Sequence, residues 1–143
     1  MKVTVDCNDD NELEIIIKCK KIDDNIKQII SLFEDKPYLI GKLNERTYQI
    51  KIEDIYYLEA NEDRIFIYCK NKVYETNSRL YELENKLDNR YFIRISKSII
   101  LNLRKLASVK AYLNGRYEAT LINNERVIIT RHYVNDFKKK FGM

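Results

Sequence analysis

Five short runs of apolar and β-branched residues follow one another between residues 38 and 76. Two or three polar residues of turn type separate each run from the next. Residues 38–43 and 46–52 flank Asn44-Glu45, and in the second run Tyr48, Ile50 and Ile52 alternate with polar residues. Ile55–Ala60 meets a turn at Asn61-Glu62-Asp63, Arg64–Cys69 returns, Asn71-Lys72 turns again, and Val73–Thr76 returns once more. Runs this short, with a period of two and regular spacing, are strands that each offer one face to a core. The pattern predicts an antiparallel meander. Three Gly and one Pro leave few sharp breaks in 143 residues, which fits regular elements joined by short polar turns.

The remaining elements are arranged around this meander. Ser78 stands where it would cap a helix that carries Leu80, Leu83 and Leu87 on one face, with Glu82 and Glu84 in its first turns. Asp88-Asn89-Arg90 ends it. Residues 91–103 hold apolar residues, bases and small hydroxyls with no acidic residue. They read as a strand at 92–95, a polar kink at Ser96-Lys97-Ser98, and an apolar run at 99–103. Phe92, Ile95, Ile99 and Leu101 are expected to fold the strand and its continuation. Residues 108–113 and 117–122 flank Asn114-Gly115, the strongest hairpin signal in the chain. Asn123-Asn124 turns into a strand at Glu125–Thr130. Tyr133–Phe141 closes as a short helix with Val134, Phe137 and Phe141 on one face and Lys138-Lys139-Lys140 outward.

Ahead of the meander, residues 13–19 are β-branched and mostly apolar and predict a strand. Asp23 or Asp24 can cap a helix whose face is Ile22, Ile26, Ile29, Ile30 and Phe33, with Pro37 closing the unit. A β-α segment of about 35 residues is too small to be stable alone, so it should pack on the rest of the chain or on another copy. The expected organisation is an N-terminal β-α segment over 1–37, serving as cap, dimerisation element or docking element, and one mainly β unit with short helices over 38–143.

Composition excludes several classes of function. No apolar signal core opens the chain, and no run approaches the roughly 18 apolar residues of a membrane span, so the chain reads as cytoplasmic. Cys7, Cys19 and Cys69 are odd in number and match no metal spacing. They read as reduced, mostly buried thiols, with a redox-sensing Cys7 as the alternative. His132 is the sole histidine, and neither a glycine-rich phosphate loop nor a nucleophile elbow is present. Nothing supports an enzyme, a cofactor, a metal or a small-molecule substrate.

Charge points elsewhere. Residues 1–89 hold 14 Lys and Arg against 19 Asp and Glu, net −5, whereas residues 90–143 hold 12 against 3, net +9. The basic part includes Arg90, Arg94, Lys97, Arg104, Lys105, Lys110, Arg116, Arg126, Arg131 and Lys138–Lys140. Such a surface binds nucleic acid by counterion release, though a generic basic face is the plain alternative. Lys97 sits between two serines at a strand break and should project from a loop tip. Arg131 stands beside His132 at a strand-to-helix junction. Tips of this kind can reach base edges in a groove, with Ser and Thr on phosphates. No finger and no helix-turn-helix is evident. RNA is the nearest competitor, because eleven tyrosines could stack bases. Most of them, such as Tyr48, Tyr56, Tyr68 and Tyr74, alternate along strands as half-buried residues do.

The segments Asp54–Ala60, Leu80–Leu87, Tyr91–Ser98 ending in Asn102, and Ile128–Val134 together resemble the LytTR-type DNA-binding domain of bacterial transcription regulators. The resemblance covers residues 38–141, and its 91–102 block is the most specific part. It implies an elongated arrangement of small antiparallel sheets. It also implies sequence-specific binding of double-stranded DNA by loops inserted into successive major grooves, typically at paired direct repeats, with DNA bending. Carried over by position, it nominates Lys97 and Arg131 as base contacts, with Asn61, Asp63 and Arg64 from the preceding tip. Arg94, Ser96, Ser98, Arg104, Arg116, His132, Lys138, Lys139 and Lys140 are the backbone-contact candidates, Arg94 with a structural role as its alternative. Many relatives carry His or Asn where Ser96 stands, which bears on the target sequence. Many also carry a receiver domain of roughly 120 residues ahead of this module. The 37 residues here are too few for one, so the chain resembles the stand-alone members. Expected protein partners are a second copy or a membrane-bound inhibitor or sensor. The alternative function is an interaction module or anti-regulator that uses the fold without reading DNA.

Overall fold

The computed structural model describes residues 1–33 and 38–143. The chain divides into two compact units, Met1–Asp35 and Lys36–Met143. In the first, the one regular element described is helix α1 (Asp24–Ser31). Asp23 caps it by accepting the Ile26 amide at 3.0 Å. Ile26, Ile29 and Ile30 are half-buried, and no residue of the helix is fully buried.

The second unit is built on an antiparallel sheet of seven strands. In chain order these are β1 (Tyr38–Leu43), β2 (Arg46–Lys51), β3 (Tyr57–Asn61), β4 (Arg64–Tyr68), β5 (Val73–Thr76), β6 (Phe92–Arg94) and β7 (Ile99–Asn102), arranged in space as β2-β1-β5-β4-β3-β7-β6. A second sheet holds β8 (Leu106–Ala111), β9 (Tyr117–Leu121) and β10 (Arg126–Ile129), with β9 in the middle. Helices α2 (Leu80–Lys86) and α3 (Val134–Phe141) complete the unit. The mainly β, antiparallel architecture with few short helices is the expected one. Its meander strands gather into one wide sheet.

The period of two explains why the sheet can be covered on both faces. Leu58, Ile65, Ile67, Phe92 and Ile100 point into one core, where Leu80 and Leu83 of α2 and the following Leu87 pack. Tyr57, Ile93, Ile95 and Leu101, which alternate with them along the strands, point into the other. There they meet Ala119, Leu121, Val127 and Ile129 of the small sheet and Val134 and Phe137 of α3. Each buried Leu or Phe contributes about 1.5–3 kcal/mol. Gly41 marks a close approach, since a Cβ there would lie 2.6 Å from Ile50 Cδ1 and 2.8 Å from Tyr74 Cβ. Asn44 and Glu45 both take positive φ, as a two-residue turn from β1 to β2 requires.

Several expectations need correction. Residues 13–19 form no strand. β propensity measures fit to a pleated, half-buried surface, and among the described residues no strand pairs with this run, so Leu13, Ile15 and Ile16 stay exposed. Ser78 does not cap α2. Its amide turns back to Thr76 Oγ1 at 3.5 Å, and Arg79 takes the cap position without a side-chain bond. The Asn114-Gly115 hairpin exists, but its strands stop at Ala111 and Tyr117 around a 3-10 turn at Leu113–Gly115. Cys7 and Cys19 are exposed and only Cys69 is half-buried. Burial, with Asp54 nearby, pushes the Cys69 thiol up to about 11. Phe141, expected on the buried face of α3, is 43% exposed and stacks on Phe137. The predicted stop at Pro37 lies outside the described residues. No described helix is long and apolar enough to cross a membrane.

Asn102 is a polar side chain set within the core, at 1% exposure. Its Nδ2 donates to Ile55 O at 2.8 Å and its Oδ1 accepts the Arg104 amide at 3.0 Å. Replacing Asn102 by Ala orphans both backbone groups, so a loss of about 2–4 kcal/mol is expected in urea unfolding. An unchanged midpoint would show that these bonds are dispensable.

Candidate nucleic-acid interface

The β3–β4 and β6–β7 hairpins are neighbours in the large sheet, so their tips lie side by side, two strand spacings or roughly 10 Å apart. The first tip is tight. Asn61 pairs with Arg64, leaving Glu62 and Asp63 in the turn, and Glu62 takes φ 57°. The second follows from the register of β6 and β7, in which Arg94 faces Ile100 and the Ile95 amide donates to Ile99 O at 3.1 Å. Ser96-Lys97-Ser98 is therefore a three-residue tip. The Ala60 amide donates to Ser98 O at 2.8 Å and fastens the two tips together.

A third segment joins them. The Thr130 amide and hydroxyl both donate to Ile95 O, at 2.9 and 3.2 Å. This pair of hydrogen bonds sets Arg131, the first residue of the 3-10 turn Arg131–Tyr133, next to the 96–98 tip. Residues 61–64, 96–98 and 131, far apart in sequence, are thus consecutive in space.

The loop geometry is held from within. The Ser98 amide donates to Ser96 Oγ at 3.2 Å, and the two hydroxyl oxygens lie 3.4 Å apart. Arg94 alternates with Ile93 and so faces the α2 side of the sheet. Its Nη1 donates to Lys97 O at 2.7 Å and its Nε to Glu84 Oε2 at 3.2 Å. It anchors the Lys97 backbone to α2, and its side chain is only 23% exposed.

The cations of the basic part fall into two groups. Many are already engaged: Arg90 with Asp88, and Lys110 and Arg126 with Glu118, as is Arg64 with Glu75 at the first tip. Arg90 holds the Asp88 carboxyl below the usual carboxylate range. Arg104 lies over the Tyr91 ring at 3.4 Å and Lys138 over Tyr117 at 5.0 Å. Arg116 stacks on Tyr112 and donates from Nε to Leu113 O. Lys140 Nζ donates to Asn89 O, and the His132 ring meets Tyr133 edge-on at 5.0 Å. Lys97, Arg131 and Lys139 are exposed, and among the described residues their charged groups have no ion-pair or hydrogen-bond partner. Unpaired cations are the ones that can neutralise an incoming anion without first breaking a contact.

The tyrosines are mostly committed to packing. Tyr57 and Tyr68 stack at 4.2 Å, and Tyr48 meets Tyr74 at 5.4 Å. Burial, with Glu125 alongside, pushes the Tyr57 phenol well above its ordinary range. Sequence reading missed the anchoring bonds at Ile95 and Lys97. Thr130 and Ile95 are 35 residues apart, and nothing local marks them as partners.

Replacing Arg94 by Ala removes a charge-assisted bond from the tip. Amide exchange at Ser98, whose N–H is bonded to Ser96 Oγ, should quicken by roughly tenfold or more, with the sheet interior unaffected. Unaltered exchange at the tip would mean that Arg94 does not hold it.

Known proteins resemble this chain in sequence and in fold. A family model described as LytTr DNA-binding domain matches residues 45–142. A sensory transduction protein LytT of Enterococcus faecalis is 32% identical over 99 residues, covering 69% of this chain and 41% of that protein. A sensory transduction protein LytR of Staphylococcus haemolyticus is 31% identical over 110 residues, covering 77% and 43%. The chain thus spans about two-fifths of the length of these curated relatives. A solved LytTr DNA-binding domain from Bacillus cereus superposes with a TM-score of 0.72 at 22% identity, covering 76% of this chain and all of that one. That likeness is one of fold.

Proposed function

The chain belongs to the LytTr DNA-binding domain family, and from that premise we propose that it is a cytoplasmic transcription regulator that reads double-stranded DNA with its converging loop tips. Lys97 and Arg131 contact bases, with Asn61, Asp63 and Arg64 contributing from the neighbouring tip. The tips enter successive major grooves, the sites are paired direct repeats, and the DNA bends. Ser96, Ser98, His132 and Lys139 contact phosphates. Arg104, Arg116, Lys138 and Lys140 reach the backbone from the edges, where their stacking and carbonyl contacts leave donor capacity to spare. Arg94 acts from behind as the anchor of the 96–98 tip.

One observation carries this reading. The two candidate base readers are exposed cations at adjacent loop ends and have no partner among the described residues. Arg and Lys pair with the O6 and N7 edge of guanine, and each good pair discriminates by about 1–3 kcal/mol. Residues 1–33 bury no side chain fully. That supports a protein-contact role for them, with a second copy or a membrane-bound inhibitor or sensor as partner.

A mobility-shift assay on a site selected by the protein from a random duplex pool tests the reading. Arg131→Ala should weaken binding to that site by about 1–3 kcal/mol. Unchanged affinity would remove Arg131 from the readers. Lys139→Ala should instead weaken selected and random duplexes alike and flatten the salt dependence by about one counterion. A changed site preference would make Lys139 a base contact. Absence of any salt slope in the parent protein would favour an interaction module.

A further inference from the structure

The five residues between β8 and β9 connect two strands of the small sheet, apart from both hairpin tips in sequence, yet one of them, Gly115, lies against Arg131. A Cβ placed on Gly115 would lie 3.0 Å from Arg131 Cδ and 3.2 Å from Arg131 Cγ. The aliphatic stem of Arg131 therefore lies against the backbone of the turn at Gly115, where a Cβ would make the stem give by a few tenths of an ångström. The turn beneath is well fixed. The Tyr112 amide donates to Arg116 O at 2.8 Å. Arg116 Nε donates to Leu113 O at 3.0 Å, and its guanidinium lies 5.1 Å from the Tyr112 ring centre. Asn114 and Gly115 both take left-handed φ, 60° and 73°.

Arg131 is thus held at two points. Its backbone follows Thr130, which is doubly bonded to Ile95 O, and its side chain rests on Gly115. We infer that the 112–116 turn is a positioning element for Arg131: Gly115 forms a bare platform that sends the guanidinium in one direction beside Lys97. Arginine has many rotamers and loses entropy when it is fixed on binding. A platform present before DNA arrives removes part of that cost and narrows the bases that Arg131 can reach. The inference rests on the reading of Arg131 as a base contact, and extends it to the turn on which its side chain lies.

The test is a double-mutant cycle. Gly115→Asn adds a side chain at a position whose φ asparagine tolerates, as Asn114 next to it shows; Gly115→Ala is the smaller second variant. On the selected duplex, Gly115→Asn should reduce affinity roughly tenfold and broaden preference at the one base position read by Arg131. Binding to random duplex should hold. In the Arg131→Ala background the Gly115 change should cost nothing further. Equal losses in both backgrounds, or no loss with Arg131 intact, would overturn the inference while leaving the DNA reading in place. If Arg131→Ala alone left specific binding untouched, the base-contact reading would fall and the inference with it. In the free protein, nuclear Overhauser contacts between the Gly115 α-protons and the Arg131 methylenes are expected; their absence would overturn the platform independently of any variant.

Discussion

The structure depends on a sheet that is buried on both faces toward one edge, at β3, β7 and β6. Residues of β3, β6 and β7 alternate between two cores, so Leu58, Phe92 and Ile100 serve one while Tyr57, Ile93 and Leu101 serve the other. Neither face can slip by one residue, because a one-residue shift would exchange every contact. Register fixed in this way propagates to the strand ends. It sets Asn61 opposite Arg64 and Ile95 opposite Ile99, and so decides which residues are left over at the tips. The loop residues have no core of their own. Their placement is inherited from the strands beneath them and locked by a few bonds to backbone carbonyls.

This arrangement separates structural from available charge. A basic face is weak evidence for a site, because most surface cations are engaged in local contacts worth little. Here those contacts can be followed residue by residue. Arg64, Arg90 and Arg94 meet carboxylates, and Arg104, Arg116 and Lys138 lie on rings. Lys97, Arg131 and Lys139 keep their charged groups available. The hydroxyls of Ser96 and Thr130 shape the loops on which the first two stand. Arg94 illustrates the distinction most clearly. It lies in the segment with the most specific resemblance, three residues from Lys97, and the structure gives it a carboxylate and a carbonyl to hold.

Much of the fold was legible because it is local. Alternation over residues 38–76 and the turn residues Asn44, Glu45, Glu62 and Asp63 are properties of short windows, and the structure has the corresponding strands. The apolar faces of α2 and α3 were legible by spacing, with Phe141 as the exception at the helix end. The misses share a cause. Residues 13–19 have strand composition but no partner among the described residues, and a strand is defined by its neighbour. Cys7 and Cys19 were expected inside because thiols usually are, but they lie in a segment that buries nothing fully. Of the site, Lys97 and Arg131 could be nominated from their places at a strand break and a junction. Their convergence could not, since it rests on Ala60–Ser98 and Thr130–Ile95 bonds between distant segments. Gly115 read as a hairpin residue, and only its contact with Arg131 gives it a second meaning.

The most direct test of the loop-tip interface is an amide and side-chain NMR titration of the protein with a selected duplex. The largest perturbations are expected at 61–64, 96–98, 112–116 and 130–132, with smaller salt-sensitive changes near Lys138–Lys140. Perturbations centred instead on the outer strands β1 and β2 or on residues 1–33, with the tips unmoved, would contradict DNA reading by these loops.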